Sequence, residues 1–410
     1  MMRRQPAPPL ESADIIREIL LKLPTRSVTC CRCVSRLWRD VVADPIFRRL
    51  HAEAEAVGRL PAASEALLVM ETQPLQSVNG LLCFGHDSAA ELPAFVCNPI
   101  TGEMAILRMT RSQWHMDDPT IYHQFALGFS PSTKEYKLFR FSTSPSYSCC
   151  KVNWIQHMVC TLGTYSGWRQ GSYSSNFPLL HTSPPVLIDG KLYLLAYGRT
   201  SLTEKLGAML MVDVATEEQH MHPLPVKDND GYLHCDPVVN AFEMSGRLCL
   251  AVNVLHPSHK LQFWVMSPPL QVQWLPAWDL SAEFDDSKLC WDLHYNFQIH
   301  DRWWGRTPTS AWFDDVEKTL CFRSRDGLFM NNMRGRSPEP SPDADCPPCD
   351  RRLELPPTPL DLNCKWNVFG GYRPSLLSPL TFATPQSPSC AEVERQQFEH
   401  KLSLTLCGHE

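Results

Sequence analysis

The sequence predicts a mainly β protein: a small N-terminal three-helix unit followed by a large all-β domain, a β-propeller of about seven blades. Three observations carry this. Apolar residues recur at helical spacing over the first fifty positions and lose that spacing afterwards. From Ser77 onward, glycine-marked turns alternate with short apolar runs. With 12 Trp and 35 Pro in 410 residues, the composition suits short strands joined by many turns better than long helices.

The helical unit comes first, over residues 10–52. Ser12 is a candidate N-cap. Behind it Ile15, Ile16, Ile19, Leu20 and Leu23 fall on one stripe of a helix, with Arg17, Glu18 and Lys22 off it. Pro24 stops that helix. Thr25 or Ser27 can cap the next, which carries Val28, Cys31 and Val34; Leu37, Trp38, Val41 and Val42 follow. Asp44-Pro45 reads as an N-cap with proline in the first helical position, leading into Ile46, Phe47 and Leu50. Forty residues cannot bury all these apolar groups alone, and each one left in water forgoes roughly 1.5–3 kcal/mol. Something must cover them, either a partner or the chain's own second domain. Cys30, Cys31 and Cys33 read as small core fillers.

Residues 53–75 form a connector, and the β domain spans 76–410. "SVNGLLCF", "PPVLIDGKLYLLAYG" and "AFEMSGRLCLAVNV" share one form: a turn marked by Gly80, Gly190 or Gly246, then a buried strand. "LMVDVATEEQHMHPLP" is a strand, a polar turn and a proline-bounded exit, and "LQFWVM" is another short strand. A propeller reaches this size by repeating blades, and a blade length of about 40–50 residues gives the figure of seven. Eight prolines between 338 and 359 mark an insertion, at about 333–362, that cannot pack a core.

Charge is uneven. Residues 1–50 hold ten Lys/Arg and five Asp/Glu, whereas the whole chain is at −6. The acidic main body excludes a general nucleic-acid binder. No apolar run reaches 18 residues, so no membrane span is expected, and the start lacks a signal-peptide pattern. Seventeen cysteines then read as mostly buried, reduced thiols of an intracellular protein.

The search for chemistry finds no catalytic site, no metal site and no cofactor. Cys346 and Cys349 make a lone C-x-x-C with no second pair to complete a zinc site. His220 and His222 read as an exposed pair. The nucleotide-binding, hydrolase and metalloprotease motifs are absent. In the Trp-rich run 291–313, Trp303-Trp304 has two readings, a recognition surface or core filling.

The order Asp14, Ile15, Ile16, Glu18, Ile19, Leu20, Leu23, Pro24, Ser27, Val28, Arg32, Cys33, Val34, Trp38, Asp44, Pro45, Phe47 resembles an F-box; the usual opening Leu-Pro appears as Pro9-Leu10. The resemblance implies a surface for the Skp-type adaptor of a cullin-RING (SCF) ubiquitin ligase, carried by Leu10, Ile15, Ile19, Leu20, Leu23, Pro24, Val28, Val34 and Trp38. Trp38 has a second reading as an internal core residue. Over about 76–380, Asn98-Pro99 with Thr101-Gly102, Gly128 to Pro131, Tyr136-Lys137 and Pro374-Ser375-Leu376 resemble, in order, the F-box-associated domain of plant F-box proteins. That resemblance implies a kelch-like propeller holding a target protein of unknown identity. Together they imply a non-catalytic substrate receptor in the cytoplasm or nucleus. Two alternatives stand beside it: a kelch-like propeller enzyme under an unrelated helical cap, and an F-box scaffold acting without degradation.

Overall fold

The computed structural model describes residues 12–56, 65–69, 76–84, 94–107, 122–143, 155–164, 167–171, 179–180, 183–200, 203–225, 239–254, 260–267, 275–276, 291–298, 310–324, 327–333, 351–353 and 367–382. The N-terminal unit has the three expected helices and a fourth, the one that Asp44-Pro45 marks in the sequence: α1 (Ala13–Leu20), α2 (Thr25–Cys31), α3 (Arg36–Ala43) and α4 (Pro45–Ala56). Asp44 creates the extra one. Its Oδ1 accepts the Ile46 N–H at 2.9 Å, and Pro45, which has no N–H to satisfy, opens the twelve-residue α4. Ser35 caps α3 by accepting from the Trp38 N–H. Ser12 sits at the start of α1 without a side-chain cap bond, and α2 is entered from Pro24 rather than capped by Thr25 or Ser27. The Thr25 hydroxyl is otherwise engaged, donating to Glu55 on α4.

Ile16, Leu20, Val28, Val41, Val42 and Phe47 meet in the core of this unit. Arg17, off the apolar stripe as expected, pairs with Asp14 on its own helix and with Asp44 at the α3–α4 junction.

A strand follows, β1 (Glu65–Val69), and then, among the described residues, five blades of four strands each rather than seven. The first is β2 (Gln76–Val78), β3 (Leu81–Phe84), β4 (Ala94–Asn98) and β5 (Glu103–Leu107). The second is β6 (Tyr122–Phe129), β7 (Tyr136–Thr143), β8 (Ile155–Thr161) and β9 (Trp168–Gln170). The third is β10 (Val186–Ile188), β11 (Lys191–Thr200), β12 (Thr203–Asp213) and β13 (Gln219–Pro223). The fourth is β14 (Val239–Met244), β15 (Arg247–Val254), β16 (Lys260–Met266) and β18 (Trp291–Gln298). Between its last two strands, β17 (Leu275–Pro276) crosses to the outer edge of the third blade and pairs with β13. The fifth is β19 (Ser310–Asp314), β20 (Thr319–Ser324), β21 (Gly327–Asn332) and β22 (Arg351–Leu353). Blades start at Gln76, Tyr122, Val186, Val239 and Ser310, a repeat of 46–71 residues. The longer repeat is why a 40–50-residue blade overcounts. β22 also lies inside the stretch expected to be an unpacked insertion; most of that stretch is outside the described residues, but Arg351–Leu353 is part of the fifth sheet.

The ring closes with the first and last strands: β1 pairs antiparallel with β23 (Asn367–Tyr372), which packs beside β19. Core clusters sit between neighbouring sheets. Phe139 and Phe141 of the second blade meet Leu192, Leu194 and Leu210 of the third. Phe242 and Phe263 of the fourth meet Phe313 and Phe322 of the fifth. Trp291 and Trp312 are both buried and fill blade interiors, whereas Trp303-Trp304 lies outside the described residues.

The three glycine turns are two-residue hairpins: Asn79-Gly80, Asp189-Gly190 and Ser245-Gly246 all have positive φ at both positions, the geometry whose twist matches the flanking strands. These hairpins and the 98–102 and 213–218 turns cluster on one face of the propeller. The described ends of the second and fourth strands of each blade point to the opposite face, because every strand reverses direction.

Candidate interaction surfaces

The helical unit sits on the turn face, against the first blade. Leu376 and Ile100 of the β domain complete its apolar core. Arg48 on α4 donates to Glu103 on β5 at 2.7 Å. Burial disfavours the Glu103 carboxylate, but hydrogen bonds from Arg48, Ser378 and Thr101 outweigh it and hold its pKa below the usual range. Part of the surplus apolar surface is thus covered by the chain itself.

Part is not. Among the described residues six large apolar side chains are exposed, and four are in this helical unit: Ile15 (49%) on α1, Val34 (63%) in the turn between α2 and α3, and Ile46 (58%) and Leu50 (38%) on α4. The nine residues expected on an adaptor surface separate into groups. Ile15 and Val34 are exposed, and Ile19, Leu23, Pro24 and Trp38 are half-buried. Leu20 and Val28 are fully buried in the unit's own core; they are scaffold rather than surface, because the inner edge of an apolar stripe packs on α3 and α4. Leu10 lies outside the described residues. Ile46 and Leu50, one turn apart on α4, were not among the expected surface residues; their i, i+4 spacing behind Pro45 was the available signal. Cys30 and Cys33 are exposed and so are not core fillers, whereas half-buried Cys31 packs against the core of the helical unit. Of the eight described cysteines, all free, three are buried.

Beneath the Leu23–Pro24 turn lies a polar staple. His51, fully buried, hydrogen-bonds the Leu23 carbonyl at 2.8 Å through Nε2. The Glu55 carboxylate accepts from the Thr25 hydroxyl and from the Thr25 N–H at 3.3 Å. Burial pushes the Glu55 carboxyl up, against the opposing pull of Thr25 and His51. Two α4 side chains therefore fix the backbone between α1 and α2, and with it the half-buried Leu23 and Pro24.

In the propeller, polar contacts pin the blades together. Gln76 makes both hydrogen bonds to the Leu127 backbone, at 3.0 and 2.6 Å, tying the first blade to the second. Glu217, in a left-handed turn, binds Lys137 at 2.7 Å and also Arg169, tying the third blade to the second. Burial opposes its charge, but these two cations hold its pKa below the usual carboxylate range. Arg140 is buried beside His123 at 3.0 Å; desolvation lowers it to about 10, which leaves it cationic at neutral pH. His222, expected to be exposed, is buried edge-on to Trp291. No group of three or more His, Cys, Asp or Glu side chains among the described residues is placed to hold a metal ion. No described helix is long and apolar enough to cross a membrane.

Residues 12–50 match the F-box domain, and residues 56–284, more than half of the chain, match the F-box associated beta propeller domain. The chain belongs to the F-box-associated β-propeller family. Its helical unit is an F-box and not an unrelated cap, and its propeller is of the F-box-associated type rather than kelch-like. Among its relatives, F-box protein At5g65850 of Arabidopsis thaliana is 26% identical over 302 residues, covering 65% of this chain and 71% of that protein. F-box protein DOR, also of Arabidopsis thaliana, is 24% identical over 218 residues, covering 44% and 53%. The β-propeller domain of Myceliophteria thermophila Cps50 (Swd1) aligns at 10% identity and a TM-score of 0.35, covering 72% of this chain and 90% of that one; so distant a likeness carries no functional argument.

Proposed function

We propose that this F-box protein is the substrate-recognition subunit of an SCF-type ubiquitin ligase. The F-box binds a Skp-type adaptor, and through it the cullin-RING core. The propeller binds a target protein, and the chain itself breaks and makes no bonds. Its contribution is proximity, which raises the effective concentration of target lysines at the ubiquitin-loading enzyme.

The observation that carries this reading is the concentration of exposed apolar side chains on the F-box: four of six within about forty-five residues. Apolar side chains left exposed on a unit rich in arginine suit a partner that covers them and complements that charge. The propeller face opposite the F-box, to which the second and fourth strands of each blade point, is the natural place for a target, since it points away from the adaptor. The reading carries with it a cytoplasmic or nuclear location, in keeping with the cysteine usage.

The test is assembly. Purified chain and a Skp-type adaptor are mixed and run by size-exclusion chromatography with light scattering. A one-to-one complex supports the proposal. Two separate species, with the chain demonstrably folded, refute it.

A further inference from the structure

Immediately after β23 the chain makes contacts that join the two ends of the molecule. Tyr372, fully buried, donates its hydroxyl to the Gly80 carbonyl at 3.3 Å and packs against Leu82. Ser375 donates to the Asn79 carbonyl at 2.6 Å. The fit there is close: a Cβ on Gly80 would lie 2.5 Å from Ser375 Oγ. Asn98, buried in the β4–β5 turn, uses both hydrogens of its amide, donating to the Ser375 carbonyl at 2.9 Å and the Leu377 carbonyl at 2.7 Å. Its oxygen accepts the Ile100 N–H at 2.8 Å, so the Asn98 amide makes three of the four hydrogen bonds open to it. Between the two anchored carbonyls, Leu376, 2% exposed, enters the F-box core among Ile16, Leu20, Val28, Val41, Val42 and Phe47. Ser378 then bonds the same Glu103 that holds Arg48.

We propose that residues 372–378 are a rigid joint, in which the segment leaving the last described strand, β23, completes the F-box core and sets the orientation of the F-box on the first blade. Leu376 and Asn98 are its positioning residues. Leu376 supplies apolar volume that the helices lack. Asn98 holds the Ser375–Leu376 and Leu377–Ser378 peptide groups, which bracket Leu376 and restrict the direction it can take. β23 closes the ring with β1 and leads directly into these residues, so ring closure and F-box docking are carried by consecutive stretches of the chain. The joint fixes the angle between the F-box patch and the opposite face of the propeller. Its consequence for adaptor and target geometry rests on the function proposed above; the joint itself does not.

Hydrogen exchange on the full chain tests this with L376A, N98D and L376M. N98D keeps the shape of the side chain but replaces the donating amide with a carboxylate facing two carbonyls, so it decides the matter even if L376A fails to fold. Amides of α1 and α3 are expected to exchange at least tenfold faster in L376A and N98D, with the strands of the second, third and fourth blades unchanged and protection restored in L376M. Unchanged F-box protection, or a loss spread evenly over all the blades, would overturn the joint, because these residues would then serve only the propeller. Adaptor affinity is measured on the same samples. If the wild-type chain binds no adaptor, the function proposed above fails while the exchange pattern still decides the joint.

Discussion

The F-box helices and the propeller treat large apolar side chains differently. The F-box buries Ile16, Leu20 and Phe47 completely and leaves Ile15, Val34, Ile46 and Leu50 in water. The described part of the propeller, several times larger, exposes Val316 and Leu380. Sheets stacked around a ring cover each other, so a propeller satisfies itself. Four short helices have too little volume to do so, and this F-box uses its own second domain on one side while keeping another side open. Incomplete self-burial is thus a property of one region rather than of the composition, and it is the physical mark of a surface made to be covered.

The largest expected effect breaks this comparison at the open side. V34D places a charge on an exposed apolar site, and W38A truncates a half-buried anchor. Combined, they should weaken adaptor binding by at least about 2 kcal/mol, the range of interface hot spots, as read by calorimetric titration, and V34D alone should leave the melting curve nearly unmoved. On the closed side the order reverses. L20A empties a fully buried site and should cost about 2–5 kcal/mol of stability in denaturant unfolding monitored at the F-box, with adaptor binding falling only as the F-box unfolds. If L20A left stability intact and removed binding directly, the division into surface and scaffold would be wrong.

A smaller effect belongs to the turn face. G80A must hold a left-handed φ of 77° and place a methyl against Ser375, and a cost on the order of 1–3 kcal/mol is expected. G246A has the same backbone strain but open space at its Cβ, so it should cost less; equal melting temperatures for the two would remove the contact from the account. The smallest effect is a pH dependence between blades. The folded pKa of Glu217 lies below its unfolded value, so its contribution is present above the unfolded pKa and lost as pH falls through the folded one. E217Q should therefore flatten the acid limb of the stability–pH curve. An unchanged acid limb would mean that Lys137 and Arg169 contribute nothing net.

How far the sequence could be read follows the range of each interaction. Gly80, Gly190 and Gly246 were legible as hairpin turns because the required backbone conformation is decided by the residue itself and its neighbour. The F-box helices were legible from spacing and from the ordered motif. Periodicity marks an apolar stripe but does not say what covers it, which is why Leu20 and Val28 were grouped with Ile15 and Val34 until their burial separated them. α4 was partly visible in Asp44-Pro45, yet its length depends on Arg48, His51 and Glu55 finding partners elsewhere. The blade count depends on connection lengths, which vary without changing the strands. Leu376 reaches the F-box core from the far end of the chain, and no local pattern announces such a contact; the motif Pro374-Ser375-Leu376 was visible, its role was not.

The most direct test of the central claim is a calorimetric titration of a Skp-type adaptor into the intact chain and into V34D, with melting curves for both. The account predicts saturable one-to-one binding by the intact chain and at least a tenfold loss in V34D at unchanged stability. Equal affinity in the two, or no binding by an intact chain that is folded, would contradict it.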